Sequence, residues 1–109
     1  MKDVVGYEGR YRVDAVGNVY SVVSGKFLSG FLNHKGYRKV ELWNEAGEKK
    51  HKFVHRILWE TYNGNVPVGF QIDHIDRDKL NNNLSNLRVV TPKENVRNSS
   101  VFKTGKYSL

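Results

Sequence analysis

Cysteine is missing altogether, so neither disulfides nor thiolate zinc knuckles hold this chain together. Its stability has to come from an apolar core. Acidic residues are in deficit: 11 Asp and Glu face 18 Lys and Arg, leaving a net charge of +7 that favours a polyanion as partner. No apolar run approaches the roughly 18 residues of a membrane span, and Met1-Lys2-Asp3 lacks the apolar stretch of a signal peptide. The expectation is a soluble, cytoplasmic protein with no membrane contact. Internal repeats and low-complexity segments are also missing, and 109 residues leave room for one domain or two small lobes sharing a core.

What is present is organised around residues 71–98, QIDHIDRDKLNNNLSNLRVVTPKENVRN. Phe70 to Asp73 alternate and end in an Asp-His pair, a polar loop follows, and Leu87-Arg88-Val89-Val90 reads as a second strand. Thr91 suits a helix N-cap, Pro92 the first helical position, and Glu94 completes a capping box. The loop from Ile75 to Asn86 is too long for a tight turn. Its Asp and Asn side chains can bond their own backbone in place of a ladder, which predicts an ordered loop. Asp73, His74 and Asn95 then converge, bringing a carboxylate, an imidazole and an amide to one spot.

Upstream, Tyr11 and Val13 alternate with Arg12 and Asp14, Gly17-Asn18 turns, and Val19 to Val23 return as a hairpin. A second hairpin joins Tyr37–Trp43 to Lys49–Val54 through the turn Asn44–Gly47. Both hairpins are expected in one curved antiparallel sheet. His55 to Asn63 places Ile57, Leu58 and Tyr62 on one helical face and stops at Asn63-Gly64. The fold class is α+β: N-terminal antiparallel β hairpins and a short helix, followed by a strand–loop–strand–helix unit. The tail from Ser99 to Leu109, without periodicity, is expected to be frayed.

The run Asp73-His74 through Asn82, Asn83, Asn86 and Leu87-Arg88 to Thr91 and Asn95 resembles the ββα-metal site of HNH endonucleases, in the branch of phage intron and free-standing homing enzymes. Upstream, Val5-Gly6-Tyr7-Glu8-Gly9-Arg10-Tyr11-Arg12-Val13 followed by Gly17-Asn18-Val19-Tyr20-Ser21 resembles the small β-module that often precedes such domains. The division this implies is a DNA-contacting β-module over 1–48 and a nuclease domain over 49–109, with the ββα-metal motif at 70–98. The implied activity is metal-dependent hydrolysis of DNA by a monomer that nicks one strand and leaves a 5′ phosphate and a 3′ hydroxyl.

By position in that motif, His74 is the general base, and Asn86 is the residue whose carbonyl or amide orients it. An imidazole with an ordinary pKa of about 6.5 is mostly neutral near pH 7.5 and still able to take a proton. Asp73 and Asn95 are the expected metal ligands. Two oxygen donors suit one hard cation, Mg²⁺ or Mn²⁺, and predict poor activity with zinc. Arg88 or Arg97 would supply a further cation to the phosphate, with no choice between them.

Each of these residues has a plainer structural role. Asp73 alone would cap a turn and His74 alone would be a half-buried polar residue; their adjacency and their place in the motif favour function. Asn81, Asn82 and Asn83, with Asp76 and Asp78, are assigned to loop structure, and His55 to bridging the helix and the nuclease strands. His34 and His51 are assigned to solvent, and Trp43 and Trp59 to core or interface. For duplex DNA the expected contacts are Arg12, Arg38, Lys49, Lys50, Lys52, Arg88, Lys93 and Arg97, with Lys49-Lys50-His51-Lys52 the densest run. About 5 to 8 phosphate contacts would give a log-log salt slope of roughly −5 to −7. The competing readings are a non-catalytic DNA-binding module of the same fold and an RNA-cutting or toxin-type nuclease.

Overall fold

The computed structural model describes residues 1–93. Glu94, Asn95, Arg97 and the tail from Ser99 lie outside the described residues, so the capping box, the second expected metal ligand and the expected fraying lie outside them too.

Alternating apolar residues make the first sheet. In β2 (Tyr11–Val13) and β3 (Val19–Ser21) the outer positions are buried and the middle ones are not, as expected for strands with one face on a core. They pair antiparallel, flanked by β1 (Lys2–Asp3) and β4 (Lys26–Leu28), in the order β1-β2-β3-β4. After β4 the chain forms β5 (Phe31–Leu32), which pairs with β6 (Arg38–Trp43), and β6 pairs with β7 (Lys49–Phe53) in a separate three-stranded sheet. The single curved sheet expected from the sequence is therefore two sheets. Alternation reports which side chains seek a core; it carries no information on which strand edges meet. The β6–β7 hairpin also runs continuously across the expected division at 48/49, with Trp43 opposite Lys49 and Asn44 N–H bonded to the Glu48 carbonyl.

Helix α1 (Val54–Asn63) starts directly from β7 and holds the sheets together. Val54, Ile57 and Leu58 are buried, with Trp59 and Tyr62 packed beside them, while Arg56 and Glu60 pair one turn apart at 2.9 Å on the outer side. The helix ends where the sequence predicts, at Gly64, whose φ of +88° suits glycine and whose N–H donates to the Glu60 carbonyl. The core joins Val4, Tyr11, Val13, Val19, Val40, Leu42 and Leu87 to this face. Cross-links with defined geometry reinforce the apolar packing: the Tyr11 hydroxyl accepts from Trp43 N–H at 3.0 Å, and the Tyr62 hydroxyl donates to the Val13 carbonyl at 3.1 Å.

The last unit is a two-stranded sheet, β8 (Gln71–His74) against β9 (Leu87–Val90), with Asp73 opposite Arg88 and His74 opposite Leu87. Helical backbone begins at Pro92, directly after Thr91. Leu87 anchors this sheet in the common core, which puts the end of β8 over α1. Among the described residues no helix is long and apolar enough to cross a membrane.

Candidate active site

The loop between β8 and β9 is built from side chain to backbone bonds, as its composition predicts. Asp76 accepts from Asp78 N–H, Asp78 from Leu80 N–H, Asn81 from Asn83 N–H and Asn83 from Ser85 N–H, each side chain capping the residue two positions on. Hydrogen bonds from Asn81 first, then from the Asp78 backbone and the Asn86 amide, hold the Asp76 carboxyl below its ordinary pKa. Arg77 sits in the left-handed region at φ +68° and closes the turn from His74 by donating to its carbonyl. The loop ends in a short 3-10 turn, Leu84–Asn86.

This scaffold fixes His74, the last residue of β8. The residue is only 4% exposed, and its Nε2 lies 2.8 Å from Oδ1 of Asn82, itself a buried residue. An amide oxygen only accepts, so in the neutral ring Nε2 carries the proton and Nδ1 the lone pair. Two rings meet the imidazole and a third backs them. His55 meets it edge-on with centroids 5.0 Å apart, Tyr37 lies at 5.9 Å, and Phe53 packs on both His55 and Tyr37.

Asn82 replaces the expected Asn86 as the side chain bonded to His74. Asn86 is fully engaged elsewhere: its Nδ2 donates to Asp76 Oδ1 and to the Asn81 carbonyl, its Oδ1 accepts from Asp76 N–H, and its own carbonyl accepts from Ile75 N–H. It ties the two ends of the loop together. In the run 81–83 the first and third amides form successive turns of the same kind, and the middle one points the other way, into the protein.

Asp73, beside His74, accepts both Nε and Nη2 of Arg88 on one oxygen, at 3.0 and 2.9 Å. Arg88, expected at the phosphate, is thus engaged with the expected metal ligand. His55, assigned a bridging role, does lie between α1 and the end of β8. Burial, then the charges of His74 and Arg56, lower its pKa to about 4, so it is neutral at neutral pH, and its Nδ1 is buried without a partner among the described residues. Those residues contain no group of three or more His, Cys, Asp or Glu able to hold a metal ion. Of the two expected ligands, Asp73 lies here with its carboxylate facing Arg88, and Asn95 lies outside the described residues.

The remaining expected contacts are spread over the surface. Arg12 is paired with Asp3 and donates to the Met1 carbonyl, and Arg38 donates to the Ser29 carbonyl. Strand alternation splits the basic run of β7. Lys49 and His51 share a face with Glu41 and Trp43, whereas Lys50 and Lys52 lie on the face of Leu42 and Val40. His34 and His51 are exposed, the latter against Glu41 at 3.3 Å. Trp59 packs on the core, and Trp43 is largely exposed. Lys93 is exposed at the helix start.

The HNH endonuclease family matches residues 52–97 and the NUMOD4 motif residues 2–43. DNA endonuclease I-HmuI of Bacillus phage SP01 is 41% identical over 89% of this chain and 55% of its own length. H-N-H endonuclease F-TflII of Escherichia phage T5 is 34% identical over 77% of this chain and 44% of its own. A solved structure of the HNH homing endonuclease I-HmuI, concerned with DNA binding and cleavage, matches with a TM-score of 0.86 and 39% identity over 97% of this chain and 60% of that one. The chain spans about half the length of these curated relatives. The family is generally dependent on a divalent metal ion. With these matches spanning most of its length, the chain belongs to the HNH endonuclease family and carries a NUMOD4 motif ahead of its HNH domain.

Proposed function

We propose that the chain is a metal-dependent DNA endonuclease acting as a monomer, which nicks one strand of a duplex and leaves a 5′ phosphate and a 3′ hydroxyl. The observation that carries this reading is the buried His74, held through Nε2 by Asn82 and adjacent to Asp73. A general base needs one nitrogen fixed and the other free to accept, and this hydrogen bond supplies that arrangement. Nδ1 of His74 takes the proton from the attacking water as the new P–O bond forms and the bond to O3′ breaks. Asp73 and Asn95 would hold one Mg²⁺ or Mn²⁺, in keeping with hard oxygen donors. Bound there, such a cation supplies Lewis-acid polarisation of the phosphate and neutralises the charge that develops on O3′. Arg88 orients Asp73 through the two donors it places on one carboxylate oxygen. Lys50, Lys52 and Lys93 offer exposed or half-exposed cations to the DNA backbone.

The test is incubation of supercoiled plasmid with the protein and Mg²⁺, with and without EDTA, alongside His74→Ala. Conversion to open circles by wild type alone, stopped by EDTA, is the expected result. Equal nicking by wild type and His74→Ala removes His74 from the chemistry. Cleavage confined to an RNA substrate transfers the proposal to ribonucleases.

A further inference from the structure

We infer that the β2–β3 turn of the N-terminal module is the mounting of the catalytic base: Gly17 packs against Asn82, and Asn82 holds His74. Gly17 and Asn82 are thereby positioning residues for hydrolysis, and the β-module has a part in catalysis besides any contact with DNA. The inference rests on the nuclease reading for the role of His74.

Three contacts make the connection. The Ala15 carbonyl accepts from Leu84 N–H at 2.7 Å, so the turn and the nuclease loop share a backbone hydrogen bond. Gly17 lies so close to the loop that a Cβ on it would stand 3.0 Å from Asn82 Cβ, 3.3 Å from the Asn82 carbonyl oxygen and 3.6 Å from Val54 Cγ1. Carbon atoms pack favourably at about 3.5 to 4.0 Å, so no methyl fits there without moving its neighbours. Asn82 Oδ1 then meets His74 Nε2 at 2.8 Å, with both side chains buried.

The turn has the stiffness a mounting needs. Asp14 accepts from Val16 N–H and Asn18 N–H on one carboxylate oxygen and from Asn18 Nδ2 on the other, and Gly17 N–H donates to the Asp14 carbonyl. Gly17 is required twice over, by its φ of +93° and by its contact with Asn82. These two demands separate experimentally. Gly9 has a similar φ of +81° and nothing within 4 Å of its added Cβ, so Gly9→Ala carries the backbone cost alone.

The experiment compares wild type, Gly9→Ala, Gly17→Ala, Asn82→Ala, Asn82→Asp and the Gly17→Ala/Asn82→Ala double variant, each shown to be folded by thermal melting. Single-turnover nicking of plasmid at saturating protein with Mg²⁺ gives the rate, and the half-saturating protein concentration gives the affinity. Asn82→Ala should slow nicking about 10- to 100-fold, the usual effect of losing a residue that orients a site ligand. Gly17→Ala should slow it about tenfold, since displacements near 1 Å remote from the chemistry cost up to about 10². Half-saturation should stay within about twofold for both, and Gly9→Ala should match wild type. Asn82→Asp, which keeps an acceptor oxygen at the same reach, should recover most of the rate. The double variant should be no slower than Asn82→Ala, because Gly17 acts only through Asn82.

The ¹⁵N resonances of the His74 ring give a readout independent of turnover. They should report the Nε2–H tautomer in wild type and Gly9→Ala and a loss of that preference in Gly17→Ala and Asn82→Ala. A Gly17→Ala protein that nicks like Gly9→Ala, or a double variant slower by the product of the single effects, overturns the inference. If Gly17→Ala fails to fold, Gly17→Asn brings in the same Cβ with a residue that tolerates positive φ. If wild type nicks nothing, the nuclease reading fails, and the ring resonances still decide whether Gly17 positions His74.

Discussion

Arg88 places two donors on one oxygen of Asp73, Nε at 3.0 Å and Nη2 at 2.9 Å, across the β8–β9 pair. The carboxylate is mostly withdrawn from water, with 11% of its side chain exposed, while the guanidinium keeps 29%. Removing the arginine therefore strands a charge in a poorly solvated place. Arg88→Ala should destabilise the fold by about 1 to 2 kcal/mol, below the range for fully buried pairs because the guanidinium still meets solvent. Melting should fall by about 5 to 10 °C. Arg88→Lys should recover less than half of that, since an ammonium cannot reproduce the planar fork. In a cycle with Asp73→Asn the two changes should couple by about 1 kcal/mol. Additive losses would mean that the pair contributes nothing as a pair.

Metal use tests the expected ligands from another side. EDTA should abolish nicking, Mg²⁺ and Mn²⁺ should restore it, and Zn²⁺ should restore it poorly, because a carboxylate and an amide offer only hard oxygen donors. Asn95→His should widen the range toward Zn²⁺ and Ni²⁺, read as the ratio of nicking rates between each of these ions and Mg²⁺. An unchanged profile removes Asn95 from the ligand set.

How far the sequence foretold this site follows from what each residue's role depends on. The strand–loop–strand order, the ordered loop and the helix end at Gly64 rest on local chemistry: amides that cap turns two residues on, and a left-handed glycine. All of these are legible in order along the chain. The choice of Asn82 over Asn86 depends on which way a loop amide points, which motif spacing does not encode. Gly17 reads as an ordinary turn glycine, because its closeness to Asn82 arises only when two sheets dock on one helix. The division into two sheets and the separation of Lys49 from Lys50 escaped for related reasons. Strand pairing lies outside the pattern of single strands, and a run of like charges conceals the alternation beneath it.

His55 predicts an acid-sensitive stability in a definite window. Its folded pKa of about 4 lies below the ordinary imidazole value of about 6.5, chiefly through burial and secondarily through His74 and Arg56. The folded state therefore binds fewer protons than the unfolded one between those values. This contribution to stability is complete above pH 6.5 and is lost progressively as pH falls toward 4. The full shift corresponds to a few kcal/mol at most, on the order of 3. The stability contributed by the lowered carboxyl groups of Asp76, Asp14 and Glu41 is present in full above their ordinary values of about 4 to 4.5 and is lost only below them, so they leave this window clear. Melting temperatures measured from pH 7 to pH 4.5 should fall steadily for wild type and much less for His55→Phe. Parallel curves would show that His55 keeps its ordinary affinity for protons.

The divided basic run of β7 makes the last prediction. Lys49 shares its face with Glu41, whose carboxylate lies 3.9 Å from the ammonium and also faces His51 at 3.3 Å. That carboxyl is held below its usual range, first by the hydrogen bond from His51 and then by those partners that outweigh its desolvation, among them Trp43 and Lys49, so it remains charged where DNA would bind. Lys50, on the other face, is exposed and has Leu42 rather than a carboxylate across the strand pair. A cation already facing a carboxylate releases fewer counterions from DNA than an unopposed one. Lys50→Ala should therefore reduce the slope of log affinity against log salt by about 1, and Lys49→Ala by less than about half of that. The measurement is duplex binding by the whole chain across roughly 50 to 200 mM salt, the range over which phosphate contacts dominate the change. Equal reductions would mean that the DNA backbone wraps both faces of the strand, and a larger effect at Lys49 would put the duplex on the Glu41 face.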